Sequence, residues 1–317
     1  MTIDQDTDDL TVYGEEGHGD DAAGRVVSGA VSLSPGGTLN EESLERFLLG
    51  RHAQIVTIIG DRDSGKSTLI SAIYDRLLRG PFAGFSFVAS RSLIAFEKRL
   101  HSARVESGRN RPETPRTSRQ EGLLHFHIAL AETENPDGRF DIMLSDRAGE
   151  VYREARGDTA LISQLPEIFR ADRLVILVDG GRLASPIERS NAVQSARQML
   201  RALLDNDAID SESRVQIVIT KMDLLDSTQD EDLGEIVANF EAKLLADFGQ
   251  RLPHLQCMRV CARDPDGKLD PALGVDSLLH DWSVLTEKVV VPHVPELKLT
   301  SEFDRLLLRM PKDMMND

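Results

Sequence analysis

Cysteine, long apolar runs and basic charge are all scarce in this sequence of 317 residues. Two cysteines, Cys257 and Cys261, are too few for a disulfide framework, and no cluster of His and Cys completes a metal site around them. No apolar run approaches the length of a membrane span, and the acidic N-terminus lacks the basic-then-apolar pattern of a signal peptide. We therefore expect a cytoplasmic protein with no membrane span.

The shortage of basic charge excludes a further class of function. Lys and Arg number 37 against 53 Asp and Glu, which gives a formal net charge of −16. Binding to nucleic acid or to an anionic membrane requires a basic face that neutralises phosphates. No nucleic-acid partner is therefore expected, while a hydrophobic content of 40% is sufficient for a real core.

The two ends of the chain differ in composition from its middle. Residues 1–40 are rich in Asp, Gly, Ser and Thr and cannot bury enough apolar surface to offset the entropy of ordering. This composition predicts a disordered acidic tail, and the alternative is a docking arm for a basic partner. A short helix is predicted from Leu39 to Leu49, with Asn40 as its N-cap. Residues 291–317 form a proline-containing C-terminal extension that is expected to wrap the domain or lie loose.

The first motif follows an apolar run of strand length. The run Ile55–Ile59 is rich in β-branched residues, and the pattern G-x-x-x-x-G-K-S covers residues 60–67. Its two glycines let successive backbone N–H groups point at a phosphate chain, and the helix that follows aims its positive end there too. Lys66 in such a loop reaches the β- and γ-phosphates, and the Ser67 hydroxyl binds Mg²⁺. The candidate phosphate-binding residues are Gly60, Asp61, Arg62, Asp63, Ser64, Gly65, Lys66, Ser67 and Thr68.

A second motif stands at the end of a strand predicted from Phe140 to Ser145. Asp146 lies at the C-terminal tip of that strand, where a carboxylate next to a phosphate loop can hold Mg²⁺ through a water. Gly149, three residues later, can donate its backbone N–H to a γ-phosphate. Ser67 and Asp146 are therefore candidate metal ligands.

A third motif, TKMD at residues 220–223, directly follows the apolar run Val215–Ile219. The Asp223 carboxylate can accept two hydrogen bonds, from the ring N–H and the exocyclic amine of guanine. Adenine offers no such pair of donors, so the wrong base leaves a buried acceptor unpaired. The stem of Lys221 can cover the base plane. The motif thus favours a guanine nucleotide.

A fourth and less specific motif follows the last strand-like run, Leu255–Val260. It consists of Cys261, Ala262 and Arg263, and a backbone N–H in this turn can reach the oxygen of a guanine base. We include these three residues in the candidate base-binding site.

Strand and helix patterns alternate between these motifs. Strands are predicted at Ile55–Ile59, Phe85–Val88, Leu123–Leu130, Phe140–Ser145, Leu174–Val178, Val215–Ile219 and Leu255–Val260, and helices at Leu69–Leu78, Ser92–Arg104, Ile187–Leu204, Leu233–Phe248 and Val275–Leu285. The turn at residues 135–138 makes its two flanking strands an antiparallel hairpin. Buried apolar strands that alternate with amphipathic helices indicate an α/β fold, with a mostly parallel sheet covered on both faces.

The charge of the chain reverses locally between Arg91 and Arg119. Eight Lys or Arg stand there against three Glu. One interpretation is a solvated helix face followed by a loop. The other is that this basic segment folds over bound phosphates or a partner.

In their order and strand placement the four motifs resemble those of a GTPase of the Ras-like, translation-factor class of P-loop proteins, over about residues 50–290. Three segments of the sequence are further similar to the bacterial double-GTPases, a subgroup associated with anti-phage conflict systems. They read GFSFVASRSLIAFEKRLHSAR, LLHFHIAL and LSDRAGEVYREAR. The resemblance implies a P-loop three-layer sandwich with a six-stranded, mostly parallel sheet and one antiparallel pair. It also implies a GTPase domain at residues 41–290, with residues 80–121 as an enlarged switch I insert.

The resemblance implies further ligands. A Thr between the first helix and the second strand closes on Mg²⁺ in this class when GTP is bound. Thr117 and Thr114 both qualify, and Thr117 is preferred. Asp63 stands where several relatives bind a monovalent cation, which leaves K⁺ or Na⁺ open. Thr220 replaces the usual Asn of the guanine motif, and Cys261 replaces a common Ser.

The resemblance also implies which residues act in turnover. Glu150 occupies the position of the water-orienting Gln of the Ras group, and its charge faces the γ-phosphate, so slow intrinsic hydrolysis is expected. Arg62 either lies against the phosphates or points into solvent, and Arg116 and Arg147 are rival arginines. The candidate catalytic residues are therefore Glu150, Gly149, Thr117 and Arg62.

The leading hypothesis is a switch that binds GTP and Mg²⁺, hydrolyses GTP to GDP and signals to a partner in a bacterial defence system. One alternative is a GTP-dependent interaction or oligomerisation module with little or no hydrolysis, in which nucleotide holds a dimer together. Glu150 and the long insert favour that alternative. A third hypothesis is an ATPase or small-molecule kinase, against which Asp223 argues.

Overall fold

The computed structural model describes residues 36–103, 119–226, 232–263, 269–270 and 272–284. Over these residues the strands are β1 (Gln54–Ile59), β2 (Phe85–Ala89), β3 (Leu124–Glu132), β4 (Arg139–Asp146), β5 (Arg173–Asp179), β6 (Val215–Thr220) and β7 (Gln256–Arg259). The helices are α1 (Glu41–Leu48), α2 (Lys66–Leu78), α3 (Leu93–Ala103), α4 (Gly149–Gly157), α5 (Pro166–Arg170), α6 (Gly180–Ala184), α7 (Arg189–Asp205), α8 (Met222–Asp226), α9 (Leu233–Phe248) and α10 (Val275–Ser283). No helix in this part of the chain has the length and apolar character needed to cross a membrane.

The seven strands form one sheet in the order β2-β3-β4-β1-β5-β6-β7. The run from β4 to β7 is parallel throughout, whereas β3 pairs antiparallel with both β2 and β4. The predicted α/β class, the mostly parallel sheet and the hairpin are confirmed. The sheet has seven strands, as many as the runs predicted from the residues, where the resemblance implied six, and β3 is antiparallel to both of its neighbours. The additional strand is β2, at Phe85, which pairs with the side of β3 that faces away from β4.

Helices cover the sheet on both faces, as predicted. Along β5, Leu174, Ile176 and Val178 face one layer, which α4, α7 and α9 cover, while Val175 and Leu177 face the other, covered by α2, α3 and α10. Because both faces of a central parallel strand are buried, such a strand is a continuous apolar run, and this is why it could be recognised in the sequence. The candidate motifs lie between the two layers, at the carboxyl ends of the parallel strands.

The short helix α1 packs on the same face as α4, over the start of β1. Asn40 caps it as predicted, since its Oδ1 accepts a hydrogen bond from the backbone N–H of Ser43 at 2.9 Å. Leu39 exchanges backbone hydrogen bonds with His125 of β3. The predictions of an acidic tail and a C-terminal extension concern, apart from residues 36–40, sequence outside the described residues.

The amino ends of three parallel strands, opposite the motifs, carry buried polar side chains. Arg173 at the start of β5 is fully buried, and its Nε donates to Asp281 of α10 at 2.8 Å. Gln216 of β6 donates to the same carboxylate at 3.0 Å and accepts from the indole N–H of Trp282 at 2.9 Å. Gln54 of β1 donates to the backbone oxygen of Val284 at 2.7 Å. The end of α10 is thus bound to the first residues of three parallel strands.

A buried histidine in β3 makes the stability of the fold depend on pH. His125 is 1% exposed, and its Nδ1 lies 3.0 Å from the Ser145 hydroxyl. Burial, with smaller contributions from Arg170 and Arg147, lowers the pKa of His125 to about 4. The unfolded chain, with a pKa of about 6.5 for His, binds more protons between these two values. The contribution of His125 to the free energy of unfolding is therefore fully present above pH 6.5. It is lost as the pH falls towards 4, and the loss is about 3 kcal/mol in all.

We expect urea unfolding to show this loss directly. Between pH 7 and pH 5 the free energy of unfolding should decrease by about 2 kcal/mol from His125 alone. His125→Gln removes the titrating group and should reduce that decrease by the same amount, while the exposed His52→Gln should leave it unchanged. An unaltered pH dependence in His125→Gln would contradict the assignment.

Candidate nucleotide-binding site

The loop between β1 and α2 holds a buried ammonium at its centre. Gly65 has a φ of 96°, and α2 begins at the next residue, Lys66. Lys66 is 8% exposed, and its Nζ donates to the backbone oxygen of Gly60 at 2.9 Å. Burial lowers the pKa of Lys66, and the carboxylates of Asp146, Asp61, Glu150 and Asp63 oppose that shift. A buried cation of this kind, at the N-terminus of a helix, suits an anionic ligand.

Two glycines are required by close packing in this loop. A Cβ at Gly60 would lie 2.3 Å from the Ser64 hydroxyl oxygen, and a Cβ at Gly149 would lie 2.7 Å from the backbone of Asp61 and Arg62. At Gly149 the short contacts are with backbone atoms, so a Cβ there would require a shift of the loop, whereas at Gly60 the Ser64 side chain would have to move. The start of α4 therefore rests directly on the loop, and the structure brings the second motif to the first.

Asp146 at the end of β4 is fully buried and forms an ion pair that the sequence did not reveal. Nη1 of Arg99, on α3, lies 2.7 Å from its Oδ2. The same guanidinium lies over the ring of Phe126, 4.4 Å from its centroid. Of the two interpretations of the basic segment, Arg99 thus fits the one in which the segment turns towards the site, while Lys98 is exposed.

The third and fourth motifs contact each other. The Cys261 thiol lies 3.4 Å from Oδ1 of Asp223, and the Thr220 hydroxyl donates to the backbone oxygen of Ser64 at 2.8 Å. The structure therefore connects the base side to the loop that carries Lys66. Of the other two residues of the fourth motif, Ala262 is half-buried and Arg263 is exposed.

Asp179 at the end of β5 contacts a candidate site residue, and sequence reasoning missed it. Its Oδ2 accepts from Nζ of Lys221 at 2.8 Å, and its Oδ1 accepts from the backbone N–H of Gly181 at 2.9 Å. Lys221 itself has a φ of 55°, so its backbone is in the left-handed region. The carboxylate fixes the lysine stem beside Asp223. The only signal in the sequence was an acidic residue at the tip of a buried strand.

Two of the candidate arginines, Arg147 and Arg62, pair with carboxylates. Arg147 donates twice to the buried Glu167, at 2.6 and 3.1 Å, and so turns towards α5. Arg62 is largely exposed and lies 3.7 Å from the Asp63 carboxylate. Arg116, Thr114 and Thr117 lie outside the described residues.

The remaining loop residues are placed around its rim. Asp61 forms ion pairs with Arg156 of α4 at 3.0 Å and Arg182 of α6 at 3.8 Å. Ser67 and Thr68 are half-buried in the first turn of α2, and Glu150 lies in the first turn of α4.

The donors at this site fit a magnesium ion. Mg²⁺ takes hard oxygen ligands from one or two protein groups and completes its shell with phosphate and water. The Ser67 hydroxyl and the Asp146 carboxylate are such donors, and Asp146 is the carboxylate that acts most strongly on the pKa of neighbouring Lys66. Asp146 already has a cationic partner in Arg99, which bears on how a metal would bind.

A family described as Double-GTPase 2 has a sequence model that matches residues 54–283. Among curated proteins, none matches this chain.

Solved structures with a related fold are distant in sequence. The SRb-GTP/SRX complex of the signal recognition particle receptor from Chaetomium thermophilum is 15% identical, with a TM-score of 0.38 over 68% of this chain and 94% of that chain. The Ski7 GTPase-like domain of S. cerevisiae bound to GTP is 14% identical, with a TM-score of 0.40 over 77% of this chain and 53% of that one. The bacterial selenocysteine-specific elongation factor EF-Sec is 16% identical, with a TM-score of 0.35 over 73% of this chain and 28% of its own.

Proposed function

We propose that this chain, which belongs to the Double-GTPase 2 family, is a guanine-nucleotide switch that hydrolyses GTP to GDP with Mg²⁺. The observation that carries the proposal is the hydrogen bond from Thr220 to the backbone of Ser64 at 2.8 Å. It ties the segment that would read the base to the loop that would hold the phosphates. A single ligand with a base at one end and phosphates at the other would fill both.

The phosphate end of the site would act through fixed charges. Lys66 and the N–H groups at the start of α2 would neutralise and orient the phosphates. Ser67 and Asp146 would hold Mg²⁺, with Thr117 or Thr114 as a further ligand from the segment outside the described residues. The metal, when bound, supplies neutralisation of charge on the phosphate oxygens. A K⁺ or Na⁺ ion at Asp63, whose φ is 65°, is a further proposal.

The base end would select guanine through one carboxylate. Asp223 is half-buried and near the Cys261 thiol. It would accept the guanine ring N–H and exocyclic amine, while Lys221, tethered to Asp179, would cover the base. A backbone N–H between Cys261 and Arg263 would reach the guanine oxygen.

Hydrolysis would depend on the first turn of α4. Gly149 would donate its N–H to the γ-phosphate, and Glu150 would orient the attacking water. Glu150 is among the carboxylates that act on the pKa of Lys66, which supports its direction towards the phosphate end. Its negative charge near the γ-phosphate predicts slow turnover, with Arg62 or Arg116 as the source of any positive charge.

A specific observation favours the alternative of a GTP-dependent interaction module with little hydrolysis. Arg147 is held by Glu167, and Arg62 is largely exposed and paired with Asp63. Each of the two arginines would have to leave its carboxylate partner to reach the phosphates. In this alternative a nucleotide-dependent dimer would form without turnover.

The nucleotide that co-purifies with the chain tests both functions. We expect guanine nucleotide, recovered mainly as GDP, and phosphate release from added Mg²⁺ and GTP above background under single-turnover conditions. Intact GTP recovered after the same incubation would favour the interaction module. Bound ATP or ADP would overturn the guanine assignment and favour the third hypothesis.

A cytoplasmic location is proposed from the scarcity of cysteine and of long apolar runs, and a partner in a bacterial defence system is proposed from the family resemblance alone. Phage plaque counts on cells that carry the wild-type chain or its Lys66→Ala variant test the second of these. We expect protection only with the wild-type chain.

A further inference from the structure

The carboxylate expected to serve Mg²⁺ is already neutralised by an internal cation. The side chain of Asp146 is fully buried, that of Arg99 is 10% exposed, and the two are 2.7 Å apart. Removal of one member of a buried pair leaves the other charge uncompensated, which costs several kcal/mol. Asp146 therefore requires a positive partner in every state of the protein.

Two cations cannot share this carboxylate without repulsion. Arg99 and a divalent metal at Asp146 would lie within a few ångström of each other, and like charges in a poorly hydrated site repel strongly. The arginine has an alternative contact, because its guanidinium already lies over the Phe126 ring, 4.4 Å from the centroid. That contact offers a place to which the guanidinium can withdraw from the carboxylate.

Arg99 connects the carboxylate to a helix that borders the site. On α3, Phe96 stacks on Tyr74 of α2 at 4.4 Å and is fully buried, so the N-terminal half of the helix is anchored independently of Arg99. Arg119, at the end of the basic segment, forms an ion pair with Glu154 of α4. The charge pair at Asp146 is thus one of the ties between α3 and the end of β4.

We propose that Arg99 is a metal-sensitive latch. It holds Asp146 and the C-terminal half of α3 in place while the metal is absent, and it leaves the carboxylate when Mg²⁺ binds there. The inference rests on the proposed magnesium site, and it names the residue through which metal binding would reach the basic segment.

Metal affinity in the nucleotide-free full-length chain tests the latch without any enzymatic activity. Mn²⁺, used as a paramagnetic probe, is titrated and its free fraction measured by electron paramagnetic resonance. Arg99→Gln should tighten Mn²⁺ binding by about tenfold, because the competing cation is gone. Lys98→Gln, which removes the same charge from an exposed position of the same helix, should change it less than about twofold. Weaker or unaltered binding in Arg99→Gln would overturn the proposal.

Hydrogen exchange supplies the second readout. In the wild-type chain, saturating Mn²⁺ should accelerate exchange of the amides around Arg99, with little change near Phe96. In Arg99→Gln, exchange there should be fast already and insensitive to metal. If Arg99→Gln does not fold, Arg99→Lys decides, with tighter metal binding expected in the same direction and to a smaller extent. No metal effect on α3 in the wild-type chain refutes the latch.

GDP affinity in the presence of Mg²⁺, measured on separate portions of the same samples, keeps the two proposals separate. Absence of GDP binding would overturn the proposed function, while the Mn²⁺ and exchange results would still decide on the latch.

Discussion

Lys66→Ala should weaken GTP binding by at least about a hundredfold. The ammonium is buried and already placed across the loop, 2.9 Å from the Gly60 oxygen. Each charge-assisted hydrogen bond to a phosphate is worth roughly 1.5 to 3 kcal/mol, and two such bonds would be lost. Titration calorimetry with GTP and Mg²⁺ measures the change directly.

The control for this variant is Arg79→Ala, which removes an exposed cation just after the other end of α2. It should leave GTP affinity unchanged. Urea unfolding of Lys66→Ala separates lost binding from lost folding, and no large destabilisation is expected, because burial already lowers the pKa of this lysine. A Lys66→Ala protein that binds GTP as tightly as the wild type would refute the phosphate site.

Asp223→Ala should abolish the preference for guanine. A site built around a polar contact rejects a base that lacks the partner by several orders of magnitude. We expect GDP affinity to fall by about a hundredfold or more while ADP affinity stays low and unchanged. Competition of GDP and ADP for a fluorescent guanine nucleotide gives both values in one experiment.

Cys261→Ser provides the matched control for the base site. The thiol lies 3.4 Å from the Asp223 carboxylate, and a hydroxyl in its place can keep that contact. GDP affinity should change less than about fivefold. Equal affinity of the wild-type chain for GDP and ADP would show that Asp223 does not read the base.

The central strands could be predicted because each is buried on both faces. Val215–Ile219 was assigned as a strand from its apolar side chains, and β6 extends one residue beyond it. β1 and β5 each begin one residue before the predicted run, at Gln54 and Arg173. Those two residues are polar and resemble loop in the sequence. Their backbones pair with neighbouring strands, and their buried side chains bond to Asp281 and Val284. No local pattern reveals partners so distant in the chain.

The motif residues could be found from spacing, but their partners could not. Gly60, Lys66 and Asp223 belong to patterns with a fixed geometry, so the sequence predicts them as site residues. Arg99 pairs with a residue 47 positions away, and in a basic segment it looked like one solvated charge among eight. Its position beside Leu100 on the apolar side of α3 was the one local sign of burial. The strand at Phe85 was predicted from its own residues, but its pairing with β3 was not, because the partner strand follows only after α3 and the basic segment.

The contacts between the end of α10 and the amino ends of the parallel strands affect how the protein folds during synthesis. The strands that begin at Gln54 and Arg173 leave the ribosome long before Asp281 and Val284, which supply their hydrogen-bond partners. Until then the guanidinium of Arg173 has no carboxylate from that helix and cannot be enclosed without a large penalty. Burial of these side chains must therefore wait until Asp281 and Val284 have left the ribosome. A nascent chain released earlier would expose the polar side chains at the amino ends of these strands to chaperones and proteases.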